Sequence, residues 1–257
     1  TSVYTPSAPN YTTALDFNNN SASNQKIIQA QNTNAFVADS GTISIWVKFA
    51  SSSVNSLGLI GNGTTNSNVR INIYQSSNTV GLAWSTSSNT SFPTPVAITP
   101  DKWTHIAVTR NYDSTNTVAK FYINGIEQFT ETLSGAITDK TYNDLLIGNL
   151  NDPFNVNRYW KGNVSNVALW DSALTASQIS TLFNFGTPET NISFSPINWW
   201  KLNNLNSSSS ADGLYDNGSS SINATLYSGT GTPVTVASTS VAVVPSWKIP
   251  SALTIPT

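Results

Sequence analysis

A chain of 257 residues, 39% of them hydrophobic and eight of them tryptophan, has material for a sizeable core, and its net charge of −2 gives no cationic excess. Only 9% of residues are Asp, Glu, Lys or Arg, against roughly 25% in ordinary globular domains, and the 11 Lys and Arg are scattered; a nucleic-acid binder, which needs clustered cations, is excluded. With no cysteine there are no disulfides, thiolate metal sites or thiol catalysis, and no run reaches the apolar length of a membrane span.

The polar surface falls to Ser, Thr and Asn, residues of strands and turns rather than of helix faces. Residues 1–13, with Pro6 and Pro9, read as an extended arm, and Thr1–Asn10 carries no charged-then-apolar export signal. Ala14 to Phe17 is a short strand. Ile43, Ile45, Val47 and Phe49 alternate with Thr42, Ser44, Trp46 and Lys48, the period-two pattern of a half-buried strand. Val69 to Gln75 repeats it and forms a hairpin with Val80 to Trp84. Trp103 to Arg110 alternates again. Val118 to Ile123, Asn124-Gly125 and Ile126 to Thr130 make a hairpin, since Asn-Gly accepts the two positive φ angles of a type I′ turn. Leu145 to Gly148 and Val164 to Trp170 are further strands.

One short helix is predicted after Thr175. Thr175 and Gln178 form a capping box, with Leu174 and Ile179 at the staple positions. Gly186 offers a stop and Pro188 forbids continuation. Beyond it, Ile197 to Leu202, Ala224 to Tyr227 and Val234 to Val244 read as strands, and residues 245–257 as an extended tail. Short strands with frequent turns and no helix–strand alternation predict an all-β antiparallel sandwich with one short helix.

Several segments, in order, resemble the laminin-G-like, concanavalin A-like lectin/glucanase family. They are Gly41 to Lys48, Trp103 to Thr109, Phe121 to Gly125, Leu146 to Asn149, and Trp160 to Thr175 with Gln178-Ile179. The resemblance covers residues 14–186 and implies a jelly-roll sandwich. Ser165 and Asn166 stand where the family carries acidic residues. Trp199 to Leu202 with Asp216-Asn217-Gly218 and Ala224 to Leu226 resembles a segment that precedes the domain elsewhere. Residues 187–244 therefore either complete the same sandwich or form a small second lobe. Chains with this arrangement resemble those of marine bacteriophages and marine bacteria.

Related glucanases place paired carboxylates on one strand face as nucleophile and acid. Here Glu127 and Glu131 lie four apart in one strand, hence on one face, but no third acid or aromatic cluster supports them. They read as solvated edge carboxylates, and the chain as no enzyme. His105, the single histidine, reads as packed or rim-facing. No cofactor is expected; if a metal is held, it is the calcium the resemblance implies, with Asp144, Asp152 and Asn149 as ligands, against ordinary turn chemistry for the same residues. For sugar binding, which needs an exposed aromatic beside amide or charged groups, the candidates are Tyr159, Asn157, Arg158, Asn155, Trp84 and Tyr74. Trp46, Trp103 and Trp160 are assigned to the core.

The expected function is a structural part of a virus particle, a capsid decoration or tail-fibre component, whose lectin-like sandwich binds surface glycans. The alternative is a secreted or cell-surface carbohydrate-binding module. Expected partners are other virion subunits or copies of itself and polysaccharide, with no nucleic acid and no membrane. The sparse charge and the Pro-rich ends suit subunit packing at a virion surface.

Overall fold

The computed structural model describes residues 13–17, 26–50, 57–62, 71–137, 144–149, 159–186, 191–203, 213–228 and 240–242. In chain order its strands begin with β1 (Thr13–Asp16), β2 (Lys26–Ala30), β3 (Gly41–Phe49), β4 (Leu57–Asn62), β5 (Ile71–Ser76) and β6 (Thr79–Ser85). Two short strands, β7 (Thr90–Ser91) and β8 (Val96–Ala97), precede β9 (Trp103–Tyr112), β10 (Asn116–Ile123), β11 (Ile126–Ser134) and β12 (Leu145–Ile147). Then come β13 (Gly162–Trp170), helix α1 (Ala176–Phe183), β14 (Asn198–Trp200), β15 (Thr225–Ser228) and β16 (Ser240–Ala242). Of the strand from Val69, the first two residues lie outside the described residues, as do most of Val234 to Val244, the arm up to Tyr11 and the tail.

The strands form two antiparallel sheets. Sheet A runs β11-β10-β9-β3-β13-β1-β16, with β14 on β13; sheet B runs β15-β2-β12-β4-β5-β6-β7, with β8 on β6. They pack face to face over one core that takes Ile43, Ile45, Val47 and Phe49 from β3, Ile71 and Ile73 from β5, and Val80, Leu82 and Trp84 from β6. This is the concanavalin A-like β-sandwich with one helix.

The alternation read in β3 is present, but the strand is not half-buried. Every β3 residue except Lys48 is buried, and so is all of β13. The reason is a second layer: Leu174, Ile179, Leu182 and Ile192 pack onto the outer face of sheet A against Ala107, Tyr122, Ala168 and Trp170. The capping box that starts α1 forms as the sequence dictates. The Thr175 side chain accepts from the Gln178 amide at 3.3 Å, and Gln178 accepts from the Thr175 amide at 2.8 Å. The Thr42 hydroxyl ties the helix entry to β3 by accepting from the Leu174 amide at 2.9 Å and donating to the Ser172 carbonyl at 2.8 Å. The helix stops before Gly186: Asn184 takes the left-handed conformation, φ 41°, which Asn tolerates with little strain.

At the β10–β11 hairpin, Asn124 and Gly125 have φ 51° and 78°, as a type I′ turn requires. Residues after the helix enter both sheets: β14 pairs with β13, β15 with β2 and β16 with β1. Trp200, Leu202, Leu214, Ala224 and Leu226 lie in the same core as the strands before them. Asp216 is the anchor of this segment. Its buried carboxylate accepts from the amides of Trp199 (2.7 Å), Gly218 (2.8 Å) and Ile222 (2.9 Å), from Asn198 Nδ2 (2.9 Å) and from the Ser220 hydroxyl (2.7 Å).

Candidate functional site

The outer face of sheet B is built from parity. Ile71 and Ile73 point into the core, so Asn72 and Tyr74 point outward. A bulge between Gly58 and Ile60 turns both Leu59 and Ile60 inward and leaves Gly58 and Gly61 on the outer face. Gly58 pairs with Tyr74, and Tyr74 pairs with Gly81. On its other side Gly58 bridges Tyr159, where β12 has ended and the chain returns beside β4. Trp160 is fully buried, edge-on to Phe17 and Phe49, so the preceding Tyr159 faces outward.

One row across the sheet thus reads Tyr159, Gly58, Tyr74, Gly81. Neighbouring strands lie about 4.8 Å apart, which sets the two tyrosine backbones about 10 Å apart with no side chain between them. Tyr74 leans over Gly81, where a Cβ would come 2.5 Å from its ring. Glycine at 81 is therefore needed for the ring to come this close to the strand. Both tyrosines are half-buried, and burial raises the Tyr74 hydroxyl above its ordinary pKa, which keeps it a neutral donor and acceptor.

Beside this row run Gln29, Leu146, Gly61 and Asn72, paired in that order. Gln29 Nε2 donates to Asp144 at 2.7 Å, and the other Asp144 oxygen accepts from the Asn32 amide at 3.0 Å. Tyr227, next to core Leu226 and paired with Ile27, stands on the same outer face at the sheet's edge. Asn72 and Leu146 are buried, so the groups of this face that can reach a sugar ring are the half-buried rings and hydroxyls of Tyr74 and Tyr159 and the half-buried amide of Gln29.

Of the residues singled out in the sequence, Tyr74 and Tyr159 are brought together. Trp84 is not part of the site. It shares the inward parity of Val80 and Leu82, is fully buried, and donates its indole N–H to Glu131 at 2.8 Å; a ring in the core cannot stack on a ligand. Asn155, Asn157 and Arg158 lie outside the described residues. The sequence reading missed Tyr227, Gln29, Gly58 and Gly81. The pairing of Gly58 with two tyrosines is a long-range register that no local pattern encodes.

The calcium expectation does not fit the two ligands that are described. Asp144 and Asn149 lie beyond opposite ends of β12, with Leu145–Ile147 and Gly148 between them. Both Asp144 oxygens already accept hydrogen bonds, and Asn149 is fully buried. Asp152 lies outside the described residues. Among the described residues no group of three or more His, Cys, Asp or Glu is placed to hold a metal ion.

The carboxylate pair is corrected as well. Tyr122 pairs with Glu127 while Phe121 pairs with Phe129, so Gln128 is the extra residue of a β-bulge. The bulge reverses the parity. Glu127 lies on the outer face with Tyr122, held by Lys120 at 3.0 Å, and these contacts lower its pKa, with Thr130 the larger cause. Glu131 pairs with core Ala119 and points between the sheets, where Trp84 and the Ser91 hydroxyl donate to it. The two cannot flank one bond. His105 is fully buried against Trp46 and Phe183 and shares a 2.9 Å hydrogen bond with the Ser44 hydroxyl. Burial lowers its pKa to about 3, so it is a neutral packing residue.

A family model described as the concanavalin A-like lectin/glucanases superfamily matches residues 19–180. A putative carbohydrate binding protein from Bacteroides ovatus superposes with a TM-score of 0.57 at 15% identity, over 88% of this chain and 62% of that one. A native heptameric SAP-like pentraxin from Limulus polyphemus superposes with a TM-score of 0.50 at 18% identity, over 71% of this chain and 87% of that one. At the sequence level, "Female protein" of Nothocricetulus migratorius is 27% identical over 97 residues, 36% of this chain. The match spans 40% of that protein's length. At these identities the two structural likenesses speak for the fold.

Proposed function

Because this chain belongs to the concanavalin A-like lectin/glucanases superfamily, we propose that it is a carbohydrate-binding module whose ligand lies on the outer face of sheet B. The observation that carries this reading is the Tyr159–Gly58–Tyr74 row: two aromatic side chains at one level, with a strand between them that presents no side chain. Tyr159 and Tyr74 stack on sugar rings, and the half-buried Gln29 lies in the adjacent row. The likeness to a putative carbohydrate binding protein supports it. The module binds rather than hydrolyses, a reading supported by the opposed faces of Glu127 and Glu131. It acts at an extracellular or virion surface. Screening the full chain on a glycan array tests this: reproducible binding to a polysaccharide class, weakened by Tyr159→Ala and by Tyr74→Ala, is expected. A blank array across plant, algal and bacterial glycans would overturn it.

A second reading, a structural part of a virus particle, is favoured by one observation. The surface carries little charge, 9% of residues, which suits close packing between subunits. Immunogold labelling of purified particles tests it, and particles without label would contradict it.

A further inference from the structure

Gly81 lies inside β6, where glycine weakens a strand because it adds backbone freedom and has no side chain to pack. Its backbone does not call for glycine. Gly125, Gly135, Gly148, Gly162 and Gly186 take positive φ, and Gly81 does not.

What the position requires is room. A Cβ at 81 would come 2.5 Å from Tyr74 Cζ, 2.6 Å from the Tyr74 hydroxyl oxygen and 2.9 Å from Tyr74 Cε1, and these are its three nearest neighbours. At Gly218, by contrast, the three nearest neighbours are backbone atoms of Ile197 and Asn198, so that glycine serves the path of the chain. Tyr74 and Gly81 are directly paired across β5 and β6, and the phenol end of the ring therefore reaches over the β6 backbone. Among the described residues no hydrogen-bond partner of the Tyr74 hydroxyl fixes the ring. Its direction is set by packing on a strand position that has no side chain.

We propose that Gly81 is a positioning residue of the carbohydrate site: by leaving out its own side chain it lets the Tyr74 ring rest on β6, so that the ring's face is turned to the ligand before the ligand arrives. This role rests on the carbohydrate reading of sheet B and adds to it a residue that acts through Tyr74. A ring already in place need not be ordered on binding, which favours affinity. A ring over a cross-strand glycine also stabilises a sheet, and the two roles separate when affinity and stability are measured in the same variants.

The test is a double-mutant cycle on the full chain, with Gly81→Ala, Tyr74→Ala and both. Binding curves are taken on an array of plant, algal and bacterial polysaccharides, and melting temperatures on the same samples. Gly81→Ala is expected to weaken binding about tenfold, the loss of one stacking ring. In the Tyr74→Ala chain, where the added Cβ meets no ring, Gly81→Ala is expected to leave affinity unchanged and to raise the melting temperature. A readout without ligand accompanies these: in NMR of labelled tyrosine, the Tyr74 hydroxyl, whose pKa burial raises, falls back toward the ordinary 10.0 in Gly81→Ala. Full affinity in Gly81→Ala, an equal loss with and without Tyr74, or an unmoved Tyr74 titration would overturn the role of Gly81 and leave the carbohydrate reading standing. An array blank for the unmodified chain would overturn both.

Discussion

Sheet A and sheet B share one core, yet their outer faces differ in kind. Sheet A is roofed: α1 and the segment around Ile192 bury Trp46, His105, Tyr122 and Trp170. Sheet B carries glycine at 58, 61 and 81 and half-buried tyrosine at 74, 159 and 227 on its outer face. Ile27, Leu146 and Asn72 on the outer face of sheet B are buried as well, so the two faces differ in what reaches the surface: apolar packing closes sheet A, and half-buried tyrosine rings remain at sheet B. The division teaches where each kind of substitution acts: changes under the roof of sheet A cost stability, and changes in the tyrosine row cost binding.

The largest effect belongs to sheet A. Trp46 stacks on Phe183 at 6.0 Å and lies at 5.2 Å from His105. Trp46→Ala is expected to cost about 3–5 kcal/mol in denaturant unfolding, while Tyr74→Ala in sheet B costs about 1 kcal/mol, since its ring is half-exposed. Equal losses would erase the contrast. Next comes Asp216→Ala, which leaves three amides and two side chains without their acceptor. At about 1–3 kcal/mol for a buried group left unsatisfied, a loss of about 3 kcal/mol is expected, read as a lowered melting temperature.

His105 sharpens the comparison through pH. The folded protein resists protonating this ring until about pH 3, while the unfolded chain takes up the proton near its ordinary value of 6.5. The stability this ring contributes is complete above pH 6.5. It falls by about 1.4 kcal/mol per pH unit as pH drops toward 3. His105→Gln removes that slope, and unfolding curves between pH 4 and 7 with and without the substitution report the difference. An unchanged slope would mean that other groups govern acid unfolding. The smallest effect concerns metal: with both Asp144 oxygens engaged by Gln29 and Asn32, EDTA is expected to leave the melting temperature where it was.

What the sequence made legible follows from how local each signal is. The capping box at Thr175 and Gln178 and the Asn124-Gly125 turn are complete within a few residues, and both form. The alternation of β3 gave the inner face, but the roof over Trp46 comes from residues more than a hundred positions later. β2 and β4 were not read at all. In β4 the bulge turns Leu59 and Ile60 inward together, which destroys the period-two pattern. A bulge at Gln128 likewise separated Glu127 from Glu131 against simple counting. Trp84 was legible: its parity with Val80 and Leu82 marks it as core. Tyr74 and Tyr159 were visible as aromatic candidates, but their meeting across Gly58 depends on a register set by the whole sheet.

The most direct test of the division between the two faces is the affinity of the Tyr74→Ala/Tyr159→Ala double variant for a glycan bound by the unmodified chain, measured by titration calorimetry beside Lys120→Ala on the outer face of sheet A. Losing two stacking contacts of about 1.4 kcal/mol each predicts a loss of about a hundredfold in the double variant, with Lys120→Ala unchanged. Full affinity in the double variant, or a comparable loss in Lys120→Ala, would contradict the assignment of binding to sheet B.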